Sequence, residues 1–257
     1  MGNTNADAKA LHVRAAGLSD VGCVRERNED AFLSDDENRL FIVADGVGGH
    51  ARGDIAARMV VELLPQIIKR RIGELPTPQT SDDPAIRKML AESVSELSQR
   101  IHAGSKDRVE YRDMGSTAVV ALVTSHHAHI AHMGDSRAYL FREGEIRKLT
   151  EDHSLVGLLM HHGEITPQEA EDHPAKGRLT RFVGMEAEVD PDVQTTELQP
   201  GDRLLLCTDG LWGMVLQDRL AAILAERNDP EITSRDLIAA GKTAGGQDNL
   251  TAVTIDA

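Results

Sequence analysis

Between Ser116 and Leu149 the chain runs through four strand-length segments separated by only a few residues, and this spacing limits the fold more than any other feature. The segments are Ser116 to Thr124, His129 to Met133, Arg137 to Arg142 and Ile146 to Leu149. A parallel pair needs a crossover of a dozen or more residues, so hairpins turning near Ser125-His126-His127 and at Glu143-Gly144 point to antiparallel pairing. Further strands are expected over Leu40 to Ala44, Val193 to Leu198, Arg203 to Cys207 and Thr251 to Ile255.

Helical periodicity lies on either side of these strands. From about Asp54, the residues Ile55, Met59, Val60, Leu63, Leu64, Ile67 and Ile68 share one face, and Pro65 is expected to kink or interrupt that helix. A second helix follows the cap pair Asp83-Pro84, with Ile86, Leu90, Val94, Leu97 and Ile101 at spacings of four and three. A capping box predicts a short helix at Thr166, and others fit Gln217 to Glu226 and Ser234 to Ala244. Helices that bracket strands, rather than alternate with them, predict an α+β layered domain in place of a doubly wound sheet. Leu75 to Ser81 reads as a loop inside one domain, and Glu151 to Asp192 as a lid or flap between two strands.

Composition narrows the function. The 28 basic and 42 acidic residues leave a net charge of -14, which repels phosphate backbones, and four Phe, two Tyr and one Trp make a poor stacking platform, so nucleic acid is not expected. No apolar run is long enough to span a membrane, and the start lacks the apolar stretch of a signal peptide. Ala6 stands where myristoylation requires Ser or Thr. Cys23 and Cys207 stand alone and far apart, so neither a disulfide framework nor a cysteine-rich zinc site is indicated, and a cytoplasmic protein is expected.

The acids cluster. Asp30, Asp45, Asp135, Asp209 and Asp248 occur in Asn28-Glu29-Asp30, Asp45-Gly46, Gly134-Asp135-Ser136-Arg137, Asp209-Gly210 and Gln247-Asp248-Asn249. Asp45, Asp135 and Asp209 adjoin glycine and Asp248 follows Gly245-Gly246 in the run Gly245-Gly246-Gln247-Asp248-Asn249, so four of the five lie at predicted strand ends near glycine, where carboxylates and backbone carbonyls can face one hard cation. A single Asp-Gly is ordinarily only a turn; several at the ends of apolar strands suggest more. His126, His127, His129 and His132 also invite a zinc reading, but a hairpin tip and an alternating strand account for them.

Six segments, VRERNEDAF (24–32), ADGVGGH (44–50), GSTAVVAL (115–122), HMGDSRAYLF (132–141), CTDGLW (207–212) and GGQDNLTAVTI (245–255), together resemble the metal-dependent protein phosphatase family, type 2C, in order and spacing over nearly the whole chain. The resemblance implies a four-layer αββα sandwich, two mostly antiparallel sheets flanked by helices, forming a single domain over 1–257. It also implies hydrolysis of phosphoserine and phosphothreonine on proteins by a hydroxide bridging two Mn²⁺ or Mg²⁺ ions. Carried onto this chain, Asp45 resembles the carboxylate bridging both ions, Gly46 the residue lending a backbone carbonyl, and Asp209 and Asp248 further ligands. Glu29 and Asp30 match acids that act near the metals through water, and Arg25 matches the arginine holding the substrate phosphate, with Arg27 as the alternative. Asp135 matches a position that in bacterial-type members can hold a third, weaker ion together with Asp209.

Val47 departs from the eukaryotic pattern, which places a His there to protonate the leaving alkoxide, and agrees with the bacterial one. His50 is an alternative acid. The implied partners are phosphorylated proteins, the counterparts of a serine/threonine kinase, acted on by a monomer. The rival reading is a catalytically silent member of the same fold that binds phosphoproteins or regulates. Intact Asp45, Asp209 and Asp248 weigh against it, because loss of activity should first erode the ligands.

Overall fold

The computed structural model describes residues 11–47, 52–75, 84–106, 114–186 and 188–257. The first ten residues, His50, the cap expected at Asp83 and residues 76–81 of the expected loop lie outside the described residues.

Two antiparallel sheets face each other. One has the order β1-β11-β10-β7-β8, built from β1 (Arg14–Asp20), β7 (Arg137–Arg142), β8 (Glu145–Lys148), β10 (Arg203–Cys207) and β11 (Leu250–Asp256). The other has the order β2-β3-β5-β6-β9, from β2 (Asp30–Asp35), β3 (Leu40–Val47), β5 (Ala118–Val123), β6 (His127–Met133) and β9 (Asp192–Glu197), with the two-residue β4 (Gly115–Ser116) pairing on β3. Both expected hairpins form. Glu143 and Gly144 each take positive φ, as a two-residue turn matched to strand twist requires. The short link after β6, Gly134 to Ser136, makes no hairpin: it carries the chain from one sheet to the other.

The period-two pattern explains the layers. In β3, Phe41 and Val43 point between the sheets, where they meet Val119, Ile130, Leu140, Leu204, Leu206 and Val253. Leu40, Ile42 and Ala44 point outward onto α1 (Gly53–Glu74) and α2 (Pro84–Lys106), against Val60, Leu64, Leu90, Val94 and Leu97. On the opposite side Leu205 and Cys207 of β10 meet Leu220, Ile223, Leu237 and Ile238 of α6 (Gln217–Ala225) and α7 (Pro230–Thr243). Each such side chain contributes about 1.5–3 kcal/mol on burial, which is why a layer of helix closes each outer face. The α+β sandwich expected from the sequence is the one observed.

Several boundaries differ. The α1 helix runs through Pro65 without interruption, because Val60, Leu64, Ile67 and Ile68 bury one continuous face across the missing hydrogen bond. The α7 helix starts at Pro230, four residues before the expected Ser234, with Pro at the first position. The strands β1 and β2 were not anticipated: both are edge strands of largely half-buried residues, so neither carries a strong alternation. Residues 151–192 contain α3 (Leu155–His161) and α4 (Pro167–Glu171), the latter with the Thr166–Glu169 capping box complete. A lone bridge between Ser154 and Leu179 closes the excursion on itself, and another between Ser116 and Val183 fastens it to the sandwich.

Candidate metal centre

Strand register brings the acids to one end of the sandwich. Asp30, at the start of β2, is directly opposite Asp45 near the end of β3. Asp209 opens the one-turn helix α5 (Asp209–Trp212) just after β10, and Asp248 lies just before β11, which pairs with β10 in the sheet facing β2 and β3. Asp135 sits in the link between the sheets, directly after β6.

Hydroxyls lock this end. Thr208 and Thr251 reach across from the β10–β11 sheet and donate to Asp30 Oδ2 at 2.8 and 2.7 Å, while Asp30 Oδ1 is buried without a partner among the described residues. The Asp45 amide donates to Thr117 Oγ1 at 2.9 Å, which lies 2.7 Å from Ser136 Oγ. Asn249 accepts the Glu29 amide and donates to the carbonyls of Val21 and Arg27, holding the 21–29 turn against the Asp248 loop. The Glu29 carbonyl accepts the Gly46 amide at 3.0 Å. A Cβ on Gly53, the first residue of α1, would lie 2.6 Å from the Gly46 carbonyl oxygen and 3.1 Å from Glu29 Oε2, so a glycine there keeps the space beside both oxygens open. Thr117, Thr208, Thr251, Asn249 and Gly53 escaped the sequence reading; polar residues flanking the acids within apolar strands are the signal that could have found them.

The electrostatics are those of a site short of positive charge. Burial, then the neighbouring acids Asp30, Asp209, Asp135 and Asp248, push the Asp45 carboxyl well above the usual range. Burial pushes Asp30 up to about 7 and Asp135 up to about 8, and raises Asp209 and Glu29. Asp209 also hydrogen-bonds Asp45, which works against that rise. Half-exposed Arg25 donates to Asp248 Oδ2 at 2.7 Å at the rim, a contact that holds its guanidinium charged. Neither Glu26 nor Glu29 takes the Arg25 ion pair among the described residues, and Arg137 pairs with Asp152, not with Asp135.

All eight residues singled out (Arg25, Glu29, Asp30, Asp45, Gly46, Asp135, Asp209 and Asp248) therefore belong to this end of the fold. Val47 closes β3 beside them. An all-oxygen set, an orphaned Asp30 Oδ1 and carboxylates that repel one another fit hard divalent cations.

Among the described residues, the one group of three that offers potential ligand atoms all within 4.8 Å of one another is His132, His153 and Asp192. The two rings stack at 4.6 Å with 25° between their planes, and hydrogen bonds already occupy His132 Nε2, at the Glu151 carbonyl, and both ring nitrogens of His153, at the Gly134 amide and Asp192. Burial and the neighbouring His153 push His132 down to about 4.

A family model described as protein phosphatase 2C matches residues 24–237. The serine/threonine phosphatase stp of Listeria monocytogenes is 36% identical over 241 residues, covering 93% of each chain. The crystal structure of the Mycobacterium tuberculosis serine/threonine phosphatase PstP/Ppp superposes with a TM-score of 0.81 at 31% identity, over 96% of this chain and 99% of that one. The catalytic domain of PstP in complex with two manganese ions superposes with a TM-score of 0.79 at 31% identity, over 95% and 97%.

Proposed function

The chain belongs to the protein phosphatase 2C family, and from that premise we propose that it removes phosphate from serine and threonine of proteins with two divalent ions held by Asp45, the Gly46 carbonyl, Asp209 and Asp248. It is a protein serine/threonine phosphatase and uses divalent metal. The observation that carries the reading is the set of acids, Asp135 buried and Asp30, Asp45, Asp209 and Asp248 half-buried, brought from both sheets to one end, with the groups acting most strongly on Asp45 after burial all being acids.

When bound, divalent ions supply Lewis acidity, which neutralises the carboxylates, draws charge from phosphoryl oxygens and lowers the pKa of water. The chain does the positioning. Arg25, anchored at Asp248, presents guanidinium donors to the phosphoryl oxygens and so fixes phosphorus for in-line attack. Glu29 and Asp30 would orient water around bound ions, and Asp30 is itself aimed by Thr208 and Thr251. Asp135, with Asp209, would hold a weaker third ion. In hydrolysis the oxygen of water bonds to phosphorus as the ester bond breaks, and the serine or threonine oxygen leaves with a proton. Val47 cannot give that proton.

The substrates are phosphorylated proteins of a serine/threonine kinase, and we read the protein as a cytoplasmic monomer. No described helix is long and apolar enough to cross a membrane. The rival reading, a silent phosphoprotein-binding module, has less support, since the acids that would erode first are all present. Hydrolysis of a phosphothreonine peptide, measured with Mn²⁺ or Mg²⁺ and with excess EDTA, tests the proposal: activity should need the ion, and turnover undiminished by chelator would refute it.

A further inference from the structure

Asp152 and His153, adjacent residues where the 151–192 excursion leaves the sandwich, grip the Asp135 link from both sides. Before Asp135, the Gly134 amide donates to His153 Nδ1 at 3.2 Å and the Gly134 carbonyl accepts the His153 amide at 2.9 Å. Gly134 has φ +105°, and a Cβ there would meet Thr117 at 2.6 Å, so the link has little room to settle elsewhere. After Asp135, Arg137 donates through Nε and Nη2 to both carboxylate oxygens of Asp152, at 2.9 and 2.6 Å. The Arg137 guanidinium lies 3.3 Å from the centre of the Trp212 ring, and Trp212 Nε1 donates to the Asp135 carbonyl at 2.9 Å.

His153 has a second connection. Because its Nδ1 accepts from Gly134, the ring proton resides on Nε2, which donates to Asp192 Oδ2 at 3.1 Å. Asp192 begins β9, where the excursion rejoins the sheet, and is also paired with Arg181. One buried imidazole therefore ties both ends of the excursion to the residue preceding Asp135.

We propose that His153 is a positioning residue for Asp135: through Nδ1 it holds Gly134 so that the Asp135 carboxylate faces the other acids, and it makes cation binding at Asp135 depend on the docked base of the 151–192 excursion. This rests on the reading of Asp135 as the ligand of a weaker ion. The imidazole touches neither substrate nor ion, and acts only by fixing the link. Groups one step outside a metal site commonly change affinity by about 10- to 100-fold when removed.

The test is calorimetric Mn²⁺ titration of the full chain combined with hydrogen exchange at the Gly134 amide. His153→Leu removes the acceptor, whereas His153→Asn offers Oδ1 at the place of Nδ1 but cannot reach Asp192. His153→Leu should weaken the weakest Mn²⁺ step by about tenfold or more, leave the tighter ions in place and speed Gly134 exchange by a similar factor, and His153→Asn should restore both. Turnover of phosphopeptide should fall more than that of p-nitrophenyl phosphate, whose phenolate leaves without a proton. Equal behaviour of the Leu and Asn variants, or an unchanged weak step with a deprotected Gly134, would overturn the proposal. Asp135→Ala, run alongside, separates the two ideas. If it leaves the weak Mn²⁺ step unaltered, the reading of Asp135 fails, and Gly134 exchange alone still decides whether His153 holds the link. Should His153→Leu not fold by circular dichroism, His153→Gln keeps an amide donor near the Nε2 position for Asp192 while still removing the Nδ1 acceptor of the Gly134 amide. The same weakening is expected there, and an unchanged titration would again overturn it.

Discussion

Asp45 stands where burial and four other acids act on one carboxyl, so its chemistry is decided by what cation joins it. If Asp45 and Asp209 ligate as proposed, Asp45→Asn or Asp209→Asn would remove charge from the bound cation without removing volume from the core. Each should lower turnover on the order of a thousandfold or more, because the Lewis-acid contribution is several kcal/mol, while thermal unfolding stays cooperative. Turnover and calorimetric metal binding that both survive either change would show the ligands to be elsewhere. Arg25 differs in kind: a guanidinium cannot ligate a cation, and its partner is the rim carboxylate of Asp248. Arg25→Ala should cost about 10- to 100-fold in kcat/KM, the worth of one or two hydrogen bonds to a charged group, with metal affinity retained. Normal kinetics in that variant would move the role to Arg27.

At the scale of elements, the fold tolerates local conflict where a long face is buried. Pro65 cannot donate to the Val61 carbonyl, yet α1 continues to Glu74 because its apolar stripe packs on β3 and α2 over its whole length. Pro65→Ala returns that hydrogen bond and removes the ring's clash with the preceding turn. It should raise stability by about 1 kcal/mol or more, read as a higher urea midpoint with an unchanged slope. A lower midpoint would mean that Pro65 contributes more by packing or by restricting the unfolded chain than it costs the helix. Edge strands show the reverse conflict. In β1, Ala15, Ala16 and Gly17 are poor strand formers with weak alternation, and pairing along the full length of β11 holds them extended.

For the whole molecule, the acidic end makes stability depend on metal and on pH together. Without metal, Asp30 and Asp135 are pushed up to about 7 and about 8 by burial, against about 3.9 in an unfolded chain. A folded-state pKa raised above the unfolded one contributes stability below the unfolded value that is lost as pH rises through the folded one. The EDTA-treated protein should therefore melt at a lower temperature at pH 8.5 than at pH 6.5, and saturating Mg²⁺ should remove that fall by balancing the ionised carboxylates. A metal-free midpoint that is level or rises over this range would contradict the electrostatic account.

Local patterns carried much of this in the sequence alone: the hairpins at 125–127 and 143–144, the helical stripes, and acids placed beside glycine at strand ends all follow from spacings of two to seven residues. The ordered motifs extended that to the family and to Asp45, Asp209 and Asp248 as the acids to watch. Tertiary structure decided what spacing cannot express. Asp30 meets hydroxyls of Thr208 and Thr251 some two hundred residues away, Arg25 finds Asp248, and Arg137 finds Asp152 instead of its neighbour Asp135. Edge strands, the unbroken α1 and the grip of His153 on Gly134 likewise arise from partners distant in the chain, because pairing and burial reward contacts that only the packed sandwich brings together.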